Sequence, residues 1–207
     1  MKTYYKAVRP DGTDFHSGTV AWIPADGVIP PEGWLVEHPT AERLGPEADS
    51  YLSVSTVATD CTGMRWPCRL LRVEPAGRAV RRADVSLPHK RRSLAWRVVE
   101  ELPAHEALGP QGAEVAAIIE RASRLTPDEM QALHTTRSAP QGSVWYAAWY
   151  AARDAARGAE RSSSWSAAWY AARDAAWDAA GATLVRDLIL PEHYGTLMAP
   201  WLSVLTQ

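Results

Sequence analysis

A chain of 207 residues with a formal net charge of −2, 46% hydrophobic and 22% charged, has room for one good core or two small ones that share an interface. Those proportions, with 15 Pro and 13 Gly, exclude a low-complexity chain. The opening MKTYYKAVRPDG lacks the apolar stretch of a signal peptide, and no window approaches the ~18 apolar residues of a membrane span, so a cytoplasmic protein without a membrane partner is expected.

The first half reads as short strands separated by turn chemistry. Thr3–Val8 is β-branched and aromatic; Pro10-Asp11-Gly12 makes a turn, with Pro presetting φ and Gly accepting a positive one; Phe15–Trp22 completes a hairpin. Ile29-Pro30-Pro31-Glu32-Gly33 is a loop, and Trp34–Val36 a short strand after it. In Tyr51–Val57 the alternation puts Leu52, Val54 and Thr56 on one face, the period of a half-buried strand. Arg69–Glu74 is a further strand, and the loop before it holds Cys61 and Cys68. Their C-x6-C spacing suits a reduced structural thiol pair; a zinc site would need further ligands such as His16, His38 or His89.

From Ser93 the period reads as helical, with Leu94, Val98, Val99 and Leu102 on one face, and Val115, Ile118, Ile119 and Ala122 repeat it. Thr126-Pro127-Asp128-Glu129 restarts a helix with Thr126 as N-cap. Then Ala147–Ala156, AAWYAARDAA, recurs letter for letter as Ala167–Ala176, and Trp145 is matched by Trp165. Alanine favours helix and the four-residue Trp steps stack indoles on one face, so 145–157 and 165–177 are expected as an antiparallel helical hairpin, one long helix being the alternative. Ala182–Leu190 extends the second helix until Pro191 stops it, and the apolar Tyr194–Leu205 closes over a core or meets a second subunit. The expected fold class is α+β: a small antiparallel β-sheet over residues 1–90, then an all-helical half over 91–207 containing the duplicated Ala/Trp/Tyr hairpin.

Three surfaces carry the functional expectations. Trp145, Trp149, Trp165, Trp169 and Trp177 form an aromatic face that either packs internally or takes a protein partner, a second copy of the chain first among them. Between Cys61 and Arg97 stand ten basic residues against two acidic ones. Within this stretch Lys90, Arg91 and Arg92 precede an expected helix and, with Arg97, are the candidate site for phosphate, nucleotide or nucleic acid. No H-E-x-x-H, G-x-S-x-G, P-loop or G-x-G-x-x-G pattern occurs, so no catalytic residue, metal or cofactor is assigned.

The run Tyr5–Phe15 (YKAVRPDGTDF), with Tyr51–Ser55 (YLSVS), Cys61–Cys68 (CTGMRWPC) and Leu71–Pro75 (LRVEP), resembles a family of actinobacterial and actinophage proteins with Ala/Trp-rich helical tails. The likeness implies no activity; it implies an accessory protein of a phage, prophage or actinobacterial genome, and the aromatic helices add the expectation of a non-enzymatic interaction protein that self-associates. Separately, Ser53-Val54-Ser55-Thr56, with Tyr51 nearby and Arg9 as an early basic residue, is similar to the Ser-Thr-Ser element of ADP-ribosyltransferases. That likeness implies NAD binding at Tyr51, Ser53 and Ser55. Where those enzymes carry a late Glu-x-Glu or Gln-x-Glu, this chain has only Glu100-Glu101.

Overall fold

The computed structural model describes residues 2–40, 44, 47, 50–61, 63–77, 79–83, 86–124, 126, 128–129 and 178–205. The chain divides into two compact units, Met1–Ala107 and Leu108–Gln207.

The first unit is built on seven strands: β1 (Tyr4–Val8), β2 (Trp34–Glu37), β3 (Leu52–Ser55), β4 (Arg69–Pro75), β5 (Arg81–Arg82), β6 (Lys90–Ser93) and β7 (Ala95–Leu102). They form one antiparallel sheet in the order β2-β7-β4-β1-β3-β6-β5. Alternation decides what is buried. Tyr4 and Val8, Leu52 and Val54, Leu71 and Val73, and Trp96 and Val98 meet in one core with Trp22, Ile23 and Val36. Trp96 ties the sheet together across several strands: its indole N–H donates to the Leu52 carbonyl at 3.1 Å, and its ring lies 5.2 Å from that of Tyr4. A register shift between Arg72 and Val73 marks an irregularity of the bulge type in β4.

Several local expectations hold. Gly12 closes the first turn with φ of 84°, its N–H donating to the Arg9 carbonyl, while the Asp11 carboxylate accepts from Thr13 N–H. Phe15–Trp22 is not a regular second strand: the segment touches the ladder only through isolated bridges, Val8 with Asp14 and Thr13 with Ala21.

The expected fold class requires correction. The sheet does not end near residue 90 and give way to helix; β6 and β7 carry it to Leu102, making a seven-stranded sheet that occupies the first hundred residues. Leu94, Val98 and Leu102 are spaced by four, which is a multiple of two. They therefore share a face in a strand as well as in a helix, and only Val99 argued for the helix. Pairing decides the matter. Trp96 and Val98 sit in register with Val36 and Trp34 on one side and with Pro75 and Val73 on the other, burying both completely.

In the second unit, α1 (Gly112–Ala122) buries Val115, Ile118 and Ile119, the face its spacing predicts. Thr126 is a cap as expected: its hydroxyl accepts from Glu129 N–H at 3.2 Å and Thr126 N–H donates to the Glu129 carboxylate at 2.8 Å, a reciprocal capping box. Residues 178–184 are helical, a 3-10 turn follows at Arg186–Leu188, and α2 spans Pro191–Leu205. Pro191 opens that helix instead of ending the previous one, because its missing N–H costs nothing at a first helical position. Among the described side chains of α2, Leu197, Met198 and Trp201 are buried. Both copies of the Ala/Trp/Tyr repeat, and with them the choice between hairpin and long helix, lie outside the described residues. No described helix is long and apolar enough to cross a membrane.

Candidate functional site: a basic cleft between two strands

The site arises from a break in sheet pairing. Strand β1 runs alongside β4 through five residue pairs but meets β3 in only one, Tyr5 with Ser55. A cleft of about 450 Å³ is lined by Lys6 and Ala7 from β1 and by Leu52 and Ser53 from β3, a volume within the range of small-molecule sites. The 14–22 segment, Thr40 and its neighbours, Gly63, Arg65 and Lys90 complete its walls. A much smaller space shares Lys6, Ala7, Ser53 and Lys90 with it and extends to Ser55 and Cys61.

Asp14 organises one wall. Its carboxylate accepts from His16 N–H at 2.8 Å, Ser17 N–H at 2.6 Å, the Ser17 hydroxyl at 2.6 Å and Val20 N–H at 3.1 Å. Burial alone would raise the pKa of this carboxyl, but the donors from Ser17 and Val20 outweigh it and hold the pKa below its ordinary value. Asp14 is thus an ionised structural clasp with its acceptor capacity largely used.

Lys6 is the unusual cation. It occupies the core side of β1, between Tyr4 and Val8, half-buried, with its ammonium 4.7 Å from the centroid of the Trp22 ring. Burial pushes its pKa down from 10.5 to about 8, with Lys90 adding to the fall and Asp14 and Cys61 opposing it. Trp22 itself is fully buried and its indole N–H has no acceptor among the described residues. On the opposite side, Tyr51 presents its ring to two cations, Lys90 at 5.9 Å and Arg92 at 5.5 Å.

The structure separates the cations that sequence grouped together. Lys90, Arg91 and Arg92 do not precede a helix; they form β6, where Arg91 and Arg92 face Arg82 and Arg81 of β5. Alternation sends Lys90 and Arg92 to the Tyr51 side, whereas Arg91 turns back on its own loop, donating to the carbonyls of Pro88 at 2.7 Å and Lys90 at 3.0 Å. Arg97 stands on β7, with β4, β1 and β3 between it and β6, and donates to the Glu32 carbonyl at 3.1 Å. Tyr51 and Ser53 do line the cleft, while Ser55 lines only the smaller space and accepts from Val57 N–H at 3.1 Å. Glu100 and Glu101 are strand residues engaged by Arg72 and Arg69, at 2.5 Å and 2.6 Å. The five tryptophans Trp145, Trp149, Trp165, Trp169 and Trp177 lie outside the described residues.

Sequence reading missed Lys6, Asp14 and Arg65. For Lys6 a signal existed: a charge at the inward phase of an otherwise apolar strand, since Tyr4, Lys6 and Val8 share a face. Arg65 and Asp14 come from loops, which alternation cannot orient. Cys61 and Cys68 are buried free thiols, both pushed up to about 12 by burial, which makes them poor nucleophiles and poor metal ligands. Among the described residues no cluster of three His, Cys, Asp or Glu side chains is placed to hold a metal ion.

No protein-family model matches the chain, and no similar curated protein or solved structure was found, so any functional reading rests on the cleft itself.

Proposed function

We propose that this chain is a binding protein for a small phosphate-bearing anion of the nucleotide class, held in the β1–β3 cleft. The observation that carries the reading is that Lys6, Arg65 and Lys90 line one cavity whose single lining carboxylate, among the described residues, is already satisfied by backbone and hydroxyl donors. Positive charge in a partly desolvated concave site attracts an anion more strongly than the same charge on open surface. Arg81, Arg82, Arg91 and Arg92, paired across β5 and β6, stand outside the cleft lining and add to the positive charge of that end of the sheet. Phe15 and Tyr51 supply aromatic surface in the same walls, suited to a base or ribose.

Inorganic pyrophosphate, ADP and NAD are the probes, read by thermal unfolding and calorimetry. A ligand present at 100 times its Kd stabilises by ~2.7 kcal/mol. Replacing Lys90 or Arg65 by Gln should weaken binding by about 10-fold or more, the worth of one charge-assisted hydrogen bond. Pyrophosphate recognises only the cations, whereas a preference for NAD that disappears when Ser53 and Ser55 become Ala would favour the nicotinamide-ribose version. Absence of any stabilisation by all three at millimolar concentration would rule the cleft out as an anion site. Self-association through the aromatic repeat concerns residues outside the described ones and is a separate matter of subunit number in solution.

A further inference from the structure

We propose that Lys6 is a nucleophilic amine that captures the carbonyl carbon of a phosphate-bearing aldehyde in this cleft, an inference that rests on the anion-binding reading above. A lysine meant only to attract phosphate is best kept flexible and hydrated at the rim. Lys6 is neither. Its backbone is fixed in β1, paired through Leu71 of β4, and the preceding residue, Tyr5, is paired with both β4 and β3. Its side chain leaves the core side of the sheet and lies over the Trp22 ring. Among the described residues no carboxylate makes an ion pair with it, and Asp14, the acid that lines the same cleft, spends its oxygens on His16, Ser17 and Val20. Lys90 lines the same cleft, and a second cation near a partly desolvated amine is the arrangement that activates a lysine for attack on carbonyls. Burial and Lys90 together, against the pull of Asp14, bring the amine to about 8, so an appreciable neutral fraction exists near neutral pH.

The chemistry is balanced without an oxidant or reductant. The neutral amine attacks the carbonyl carbon, forming a C–N bond while the C=O pair moves to oxygen. A proton passes from nitrogen to that oxygen, giving a carbinolamine. The C–O bond then breaks with loss of water as C=N forms, so amine and aldehyde become imine and water. Arg65 and Lys90 remain to hold the phosphate.

The chain simplifies the test, because its lysines are Lys2, Lys6 and Lys90 alone and mapping separates them from any adduct at an α-amino group. The full chain is incubated with pyridoxal 5′-phosphate, reduced with borohydride, digested and mapped by mass. The expected result is an adduct at Lys6 favoured by about tenfold or more over exposed Lys2, because Lys6 shares its cleft with the cations that would hold the phosphate. It should be lost in Lys6→Arg, which keeps the charge, and suppressed by pyridoxine 5′-phosphate, which has the phosphate but no carbonyl. Labelling spread over Lys2 and Lys90, while pyridoxine 5′-phosphate still raises thermal stability, overturns the role of Lys6 and leaves the anion site standing. Neither adduct nor stabilisation overturns both. Equal labelling of Lys6 by pyridoxal without phosphate overturns the proposal, since the amine would then be reactive without phosphate guidance.

Discussion

Replacing Lys6 by Met should make the protein more stable at pH 7, although a strand lysine is being removed. The unfolded chain holds this ammonium in water with a pKa of 10.5, and the folded chain lowers it to about 8 through burial. At ~1.4 kcal/mol per pH unit, that fall means that keeping Lys6 charged costs the native state ~3 kcal/mol. Loss of the contact with Trp22 returns ~0.5–2 kcal/mol, leaving a net gain of ~1–3 kcal/mol for Met, whose unbranched stem fills similar space. The pH dependence follows from proton counting. Below about 8 both states are protonated and the cost is complete. Between about 8 and 10.5 the native state has released a proton that the unfolded state still holds, so wild-type stability relative to the variant rises with pH. Urea unfolding of both proteins at pH 7, 8, 9 and 10 measures the difference. A variant less stable than wild type at pH 7, or a gap that does not narrow with rising pH, would show that the Lys6 ammonium is well solvated and refute the reasoning.

Two further substitutions probe what shapes the cleft. Asp14→Asn should cost ~1–3 kcal/mol at pH 7 by weakening the charge-assisted bonds from Ser17 and Val20. Because the folded state lowers the Asp14 pKa, this contribution is complete above the ordinary carboxylate value and fades as pH falls through the folded one; equal stabilities at pH 7 would discount the clasp. Trp96→Phe removes the bond to the Leu52 carbonyl and leaves unfilled volume in a fully buried site, so guanidinium titration should find a loss of ~2–4 kcal/mol, and a loss below ~1 kcal/mol would mean that the indole does not bridge the sheet.

What the residues determine locally can be told apart from what the assembled sheet determines. Pro10-Asp11-Gly12 specifies its turn wherever it sits, because φ of proline and the freedom of glycine are properties of single residues. Thr126 with Glu129 likewise specifies a helix start, and Leu52 and Val54 specify the inward face of β3. Residues 94–102 carry no such local instruction. Their four-residue spacing satisfies both periods, and only partners far away in sequence, Trp34 and Val36 on one flank and Val73 and Pro75 on the other, select the strand. That selection also dispersed the expected cationic cluster, since consecutive residues on a strand point to opposite faces and Arg97 ends with three strands between it and Arg92. The cleft belongs wholly to tertiary structure: it exists because β1 and β3 share a single pair, and it gathers Lys6, Asp14, Tyr51, Arg65 and Lys90 across 84 positions of chain. Local physics placed the charge of Lys6 on an inward face, and only the parting of two strands turned that misfit into a site.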